Sequence, residues 1–79
     1  MINYEMELRE EIDGAVKYHQ EALEQKKNGC IDCEFFMAMA KDEMTHAKYI
    51  HDYMVSRAIP IPQDLEDTYN RFPATHIGN

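Results

Sequence analysis

The sequence predicts an all-α fold in which two long helices form an antiparallel hairpin that is followed by a short C-terminal segment. Apolar residues recur at helical spacing through two stretches of about 25 residues each. Neither stretch contains proline, and Asn28-Gly29 lies between them. Two helices joined by so short a turn pack antiparallel. We therefore expect a helical hairpin over residues 1–59 and a C-terminal tail over residues 60–79.

The first helix is predicted from about Asn3 to Lys27, with Gly14 as its one weak point in helix propensity. Two lysines precede Asn28-Gly29, which is typical of a helix C-terminus closed by a residue in the left-handed conformation. The apolar stripe of this helix consists of Leu8, Ile12, Ala15, Val16, Ala22 and Leu23.

The second helix is predicted from about Ile31 to Ala58, because Pro60 and Pro62 prevent its continuation. Its central apolar stripe consists of Phe36, Met39, Ala40, Ala47, Ile50 and Met54. Apolar residues also flank the stripe on both sides, with Ile31, Phe35, Tyr49 and Tyr53 on one side and Met37, Met44 and Val55 on the other. A single partner helix cannot cover so wide an apolar surface, so we expect the chain to be half, or less, of the folded unit.

The tail is predicted to contain a short helix from Gln63 to Phe72 that presents Leu65, Tyr69 and Phe72 on one side. An extended or frayed terminus is expected after Pro73.

Composition excludes several classes of function. The net charge of −7 argues against binding to nucleic acid or to an anionic membrane surface. The chain has no apolar run of about 20 residues and no signal peptide pattern at its start, so we expect a soluble, cytoplasmic protein. With 79 residues the chain can bury only a small core, so a staple or a partner is expected to stabilise it.

Cys30 and Cys33 are too few for a disulfide framework, so two thiols are expected in a reducing compartment. Three interpretations remain open for this pair. It is a redox dithiol near a helix N-terminus, half of a zinc site completed by twofold symmetry, or ordinary thiols at a turn.

The segment Glu43-Met-Thr-His46 places a carboxylate and an imidazole one helical turn apart within the apolar stripe. A buried carboxylate is costly unless it is paired or bound to a metal, and Glu-x-x-His on one helix face is a common ligand set for transition metals. On the first helix, Glu11 is the acid on the apolar side. Its level along the bundle differs from that of Glu43 by only about 3–5 Å, so the three side chains can converge.

Di-iron carboxylate bundles use one Glu from each of two helices and Glu-x-x-His from each of two others. This chain has one Glu of the first kind, Glu11, and one Glu-x-x-His, Glu43 to His46. A twofold dimer would therefore supply each of these ligands twice. The dimer would complete a four-helix bundle and would also cover the excess apolar surface of the second helix.

These residues resemble the ferritin-like superfamily, in particular the rubrerythrin group and the short two-helix members known as encapsulated ferritins. The matching segments are Glu-Glu-Ile-Asp-Gly-Ala-Val-Lys-Tyr, which contains Glu11 and Tyr18, and Glu43-Met-Thr-His46-Ala. The resemblance extends from about Leu8 to Met54, and the chain has a single Glu-x-x-His.

The resemblance implies a di-iron protein with ferroxidase activity. Glu11, Glu43 and His46 would be the metal ligands and catalytic residues, with Tyr18 supporting them. It also implies a homodimer or a larger even-numbered oligomer, with an encapsulin shell as a partner. The ligand chemistry itself suits iron or manganese, with zinc as a substitute.

Three alternatives remain open. One is a rubrerythrin-type peroxide reductase that receives electrons from Cys30 and Cys33 or from an external donor. Another is a non-catalytic helical assembly module in which Glu43 and His46 form a buried pair that fixes the register of the helices. In a further alternative, Glu11 is a boundary carboxylate that pairs with a lysine.

Overall fold

The computed structural model describes residues 1–72, which form three helices and no strand. These are α1 (Tyr4–Lys27), α2 (Cys33–Ser56) and α3 (Gln63–Arg71). The predicted all-α class is therefore confirmed, and the two long helices pack against each other. No helix in this described part combines the length and apolar character needed to cross a membrane. The terminus expected after Pro73 lies outside the described residues.

Ring contacts show that α1 and α2 run antiparallel. Tyr4, at the start of α1, lies against Tyr53 near the end of α2, with ring centroids 5.1 Å apart. Further along α1, Tyr18 stacks on Phe36 near the start of α2. The expected hairpin is therefore the observed arrangement.

The ends of α1 follow the predicted chemistry. Asn3 caps the first turn, because its side-chain oxygen accepts a hydrogen bond from the Met6 N–H at 3.0 Å. At the other end Gly29 adopts a φ of 100°, and the Cys30 N–H donates to the Gln25 carbonyl at 2.7 Å. This left-handed closure is the one that Asn28-Gly29 predicts.

The second helix is slightly shorter than predicted, at both ends. It begins at Cys33 and ends at Ser56, because Ala58 adopts a left-handed φ of 55°. The Ile59 N–H then donates to the Met54 carbonyl at 2.9 Å, which closes the helix before the first proline is reached.

The core is formed mainly by small and flexible side chains. Alanines on both long helices allow their backbones to approach closely. Met44 was predicted to lie on a flank of α2, but it is buried because α1 packs against the side that carries Ala40 and Met44. The residues of the main buried cluster are Leu8, Ile12, Ala15, Ala40, Met44, Ala47, Met54 and Leu65.

The short helix expected in the tail is present as α3, and it covers one flank of the hairpin. Leu65 is buried, while the His51 ring of α2 stacks on Tyr69 with centroids 4.1 Å apart. The same histidine places its Nε2 atom 2.9 Å from a carboxylate oxygen of Glu66. Arg9 Nη1 lies 3.5 Å from Asp64 Oδ2, and this ion pair links α3 to α1 as well.

The opposite flank of α2 carries exposed aromatic rings. Phe35, Tyr49 and Tyr53 are 59%, 68% and 40% exposed. Sixteen residues separate Phe35 from His51, which places them about 160° apart around the helix and so on opposite sides. We call the surface formed by Phe35, Met39, His46, Tyr49 and Tyr53 the open face of α2.

Candidate metal centre

Glu11, Glu43 and His46 meet where the middles of α1 and α2 pack together. One ligand atom from each side chain lies within 4.8 Å of the other two. The closest ion-pair contact joins His46 Nδ1 to Glu11 Oε2 at 3.4 Å. All three ligands predicted from the sequence are therefore brought together within a single chain.

One oxygen of this group has no hydrogen-bond partner. Glu11 Oε2 is buried, and no donor in the described part of the chain satisfies it. Its distance of 3.4 Å to His46 Nδ1 exceeds the 2.7–3.2 Å typical of an N–H···O hydrogen bond. An unsatisfied buried acceptor costs about 1–3 kcal/mol, and a charged one costs more. A proton or a cation beside this atom would remove the cost.

Glu11 also affects the ionisation of Glu43. The pKa of Glu43 is raised, first by burial and then by the hydrogen-bonding contact and negative charge of Glu11. The nearby His46 acts in the opposite direction and lowers it. Placing both carboxylates in their charged forms between the helices is therefore unfavourable, and a bound cation would relieve their repulsion.

Gly14 makes room for Glu43. A Cβ atom at position 14 would lie only 2.7 Å from Glu43 Oε2, so the carboxylate rests directly against the backbone of α1. Glycine inside a helix costs about 1 kcal/mol relative to alanine. The sequence shows Gly14 only as a weak point in α1. The signal that could have revealed its role is its position three residues after Glu11, on the same side of the helix.

The donor set fits a transition metal. Two ligands on opposite sides of an ion with bonds of about 2.1 Å lie about 4.2 Å apart, so small side-chain rotations would bring this group onto one ion. Two carboxylates and one imidazole suit iron, manganese or zinc. The His46 side chain is 54% exposed on the open face of α2, so this group also borders the surface of the chain.

Tyr18 lies apart from the three ligand side chains. Its ring stacks on Phe36 with centroids 6.3 Å apart. It follows Glu11 by seven residues, or about 10 Å along the helix axis. No hydrogen bond within residues 1–72 joins its hydroxyl to Glu11, Glu43 or His46. A supporting role for Tyr18 stays a prediction.

Cys30 and Cys33 differ from the expected pair of thiols, because the structure joins them as a disulfide. Their sulfurs meet because the turn into α2 folds residues 30 and 33 back toward each other, with Cα atoms 4.9 Å apart. A disulfide has no thiolate to offer, so in this state the pair cannot contribute to a zinc site. Cys33 precedes Glu43 by ten residues, or about 15 Å along the axis of α2.

No known protein family, curated protein or solved structure matches this chain. The resemblance to ferritin-like proteins therefore rests on the residues between Leu8 and Met54.

Replacing Glu43 with glutamine should stabilise the metal-free protein at neutral pH. A raised carboxyl pKa means that the ionised form of Glu43 opposes folding, whereas a neutral amide removes the charge and can donate to the unsatisfied Glu11 Oε2. Chemical denaturation with chelator present measures the difference in unfolding free energy.

This difference should shrink as the pH falls toward the ordinary glutamate pKa of about 4.3, where Glu43 of the wild type becomes protonated in both states. Glu10→Gln, at the exposed neighbour of Glu11, is the matched control and should show no such effect. A Glu43→Gln protein less stable than wild type at pH 7 would contradict this account of the carboxyl pair.

Gly14→Ala should weaken metal binding even though alanine favours the helix by about 1 kcal/mol. The added methyl group would push Glu43 Oε2 out of its place against α1. Titration with Co(II), followed by its visible absorbance, measures the affinity. The control adds Gly14→Ala to the Glu43→Ala variant. That variant has no carboxylate to displace, so the added alanine should only raise the stability of the helix. Unchanged Co(II) affinity in Gly14→Ala would count against the steric argument.

Proposed function

We propose that this chain is an iron-binding, ferritin-like protein whose twofold dimer holds a di-iron site and oxidises Fe(II). The observation that carries the proposal is the group of Glu11, Glu43 and His46, which lies within 4.8 Å and contains a buried oxygen without a partner. A purely structural group would be expected to satisfy that oxygen with a donor.

The open face of α2 supports a second copy of the chain as the partner. It exposes three aromatic rings along the same side of the helix as His46, while α3 covers the other flank. Phe35, Met39, Asp42, His46, Tyr49 and Tyr53 follow alternating spacings of four and three residues, which is the pattern of a contact line between helices. A copy related by twofold symmetry would bring its own Glu11, Glu43 and His46 to the same line.

The excess of negative charge supports a cation as the ligand. Each chain has a net charge of −7, and a dimer would bring four carboxylates together at the centre. Two divalent cations carry the four positive charges that would balance them. The imidazoles of His46 would add one neutral nitrogen ligand for each ion.

Fe(II) is the substrate in this proposal. Glu43 would bridge the two ions, while Glu11 and His46 would each bind one of them. Two Fe(II) ions together supply two electrons, which with two protons reduce O2 to hydrogen peroxide and leave two Fe(III) ions. The carboxylates stabilise the product, because the increase in positive charge strengthens their attraction to the metal.

A non-catalytic role has one observation in its favour. His46 Nδ1 lies 3.4 Å from Glu11 Oε2, so a protonated imidazole would form an ion pair between the two helices. In that role the pair would fix the register of the hairpin and would need no metal. The two proposals differ in metal stoichiometry, since only the iron-binding one requires about one ion per chain.

Fe(II) added without oxygen and then exposed to air should give a rise in ferric absorbance with the wild-type protein. Glu11→Ala, Glu43→Ala and His46→Ala should each lower the initial rate by at least about tenfold, because each removes at least one ligand from every ion. Glu10→Ala removes an exposed acid beside Glu11 and should keep the wild-type rate. Identical traces for the wild type and Glu43→Ala would refute the catalytic part of the proposal. Sustained consumption of hydrogen peroxide with a reductant would instead identify a peroxide reductase.

Phe35→Glu should disrupt the dimer and lower the metal content of each chain, because it places a charge in the proposed contact line. Light scattering measures the mass in solution, and metal analysis measures the content. Val55→Glu is the matched control, since Val55 is 61% exposed against 59% for Phe35 but lies about 160° away around α2. Equal effects of the two substitutions would argue against the open face as the dimer interface.

A further inference from the structure

The turn between α1 and α2 presents the Cys30–Cys33 disulfide at the surface. The Cα atoms are 4.9 Å apart, within the range of about 4.4–6.8 Å that is usual for disulfides. Cys30 is exposed and Cys33 is half-buried. A small thiol can therefore reach the bond while the two long helices remain packed.

This disulfide is poorly placed to act as a structural staple. It joins residues only three positions apart, and closing so short a loop removes little entropy from the unfolded chain. The hairpin is held instead by buried apolar contacts between α1 and α2. The turn has its own hydrogen bond from the Cys30 N–H to the Gln25 carbonyl at 2.7 Å. Stabilisation of the fold therefore does not account for the pair.

The two sulfurs lie in different environments. Cys33 is the first residue of α2, and Asp32 before it makes no side-chain hydrogen bond to the first turn. The free N–H groups of that turn can stabilise negative charge on the Cys33 sulfur. Cys30 lies outside the helix, in a left-handed backbone conformation with φ of 59°. Cys33 is thus the better leaving group, and Cys30 presents the more accessible sulfur.

We propose that Cys30 and Cys33 form a reversible redox site that exchanges two electrons with small thiols of the glutathione class. A thiolate attacks the Cys30 sulfur, the S–S bond breaks, and Cys33 leaves as a thiolate. A second thiolate then attacks the sulfur of the small thiol in the mixed disulfide and releases Cys30. In total, two thiols become one small disulfide, and the protein gains two electrons and two protons. Oxidation by the small disulfide reverses these steps.

This site is separate from the metal centre. About 15 Å of α2 lies between Cys33 and Glu43, and neither cysteine belongs to the group of metal ligands. The inference therefore stands whether or not the chain oxidises Fe(II). Replacing both cysteines with serine should therefore leave Co(II) binding at Glu11, Glu43 and His46 unchanged.

The test equilibrates the full chain in glutathione buffers of stepped ratio, traps free thiols with a maleimide and determines the mass. The wild type should pass from zero to two free thiols in one step, with its helical circular dichroism unchanged. In oxidising buffers Cys33→Ser should accumulate a glutathione adduct on Cys30, because the Cys33 thiolate that would attack the adduct, form the disulfide and release glutathione has been removed. In the reduced wild type, Cys33 should be alkylated faster than Cys30 at neutral pH.

Three results would overturn the proposal. The first is a pair that no ratio of glutathione reduces. The second is loss of helical signal on reduction, which would make the disulfide a structural staple. The third is equal alkylation rates for the two cysteines, which would remove the asymmetry on which the exchange depends. Cys30→Ser is the matched variant of Cys33→Ser in the alkylation measurement, because its one remaining thiol, Cys33, lies at the helix N-terminus.

Discussion

The meeting of two carboxyl groups between α1 and α2 is the constraint on which the rest of the structure depends. Glu11 and Glu43 face each other at a helix contact that apolar residues otherwise form. The contact leaves one oxygen of Glu11 without a partner and raises the pKa of Glu43. Gly14 adds a further local cost, because it weakens α1 in order to accommodate Glu43. A positive ion between the carboxylates is the simplest compensation for all three costs.

The position of this carboxyl pair also links the site to the surface of the chain. Small residues such as Ala40 and Ala47 bring the helices close together, and α3 then covers only one flank of α2. The flank that no segment within residues 1–72 covers carries His46 and the exposed rings of Phe35 and Tyr49. One event, the addition of a second copy on this flank, would both bury the rings and double the ligand set. Dimerisation and metal binding are therefore expected to stabilise each other.

Much of the helical architecture could be predicted from the sequence, because it depends on local signals. Periodicity located the helices, while Asn28-Gly29 located the turn that brings Glu11 and Glu43 to similar levels. Features that depend on three-dimensional packing were less accessible. The burial of Met44 follows from the rotation of α2 against α1, and the partner of His51 lies on α3, fifteen residues later. The spacing of Gly14 from Glu11 places it on the correct side of α1, but its role depends on contact with Glu43 of the opposite helix, which that spacing alone does not identify.

The most direct measurement of the central claim is a crystal structure of the iron-loaded protein with anomalous scattering recorded at the iron edge. The account predicts two metal peaks about 3.5–4 Å apart, related by a twofold axis between two chains. Each peak should contact Glu11, Glu43 and His46, with Glu43 of both chains shared between the ions. A single chain without iron at these residues, or iron bound only at surface acids elsewhere, would contradict the account.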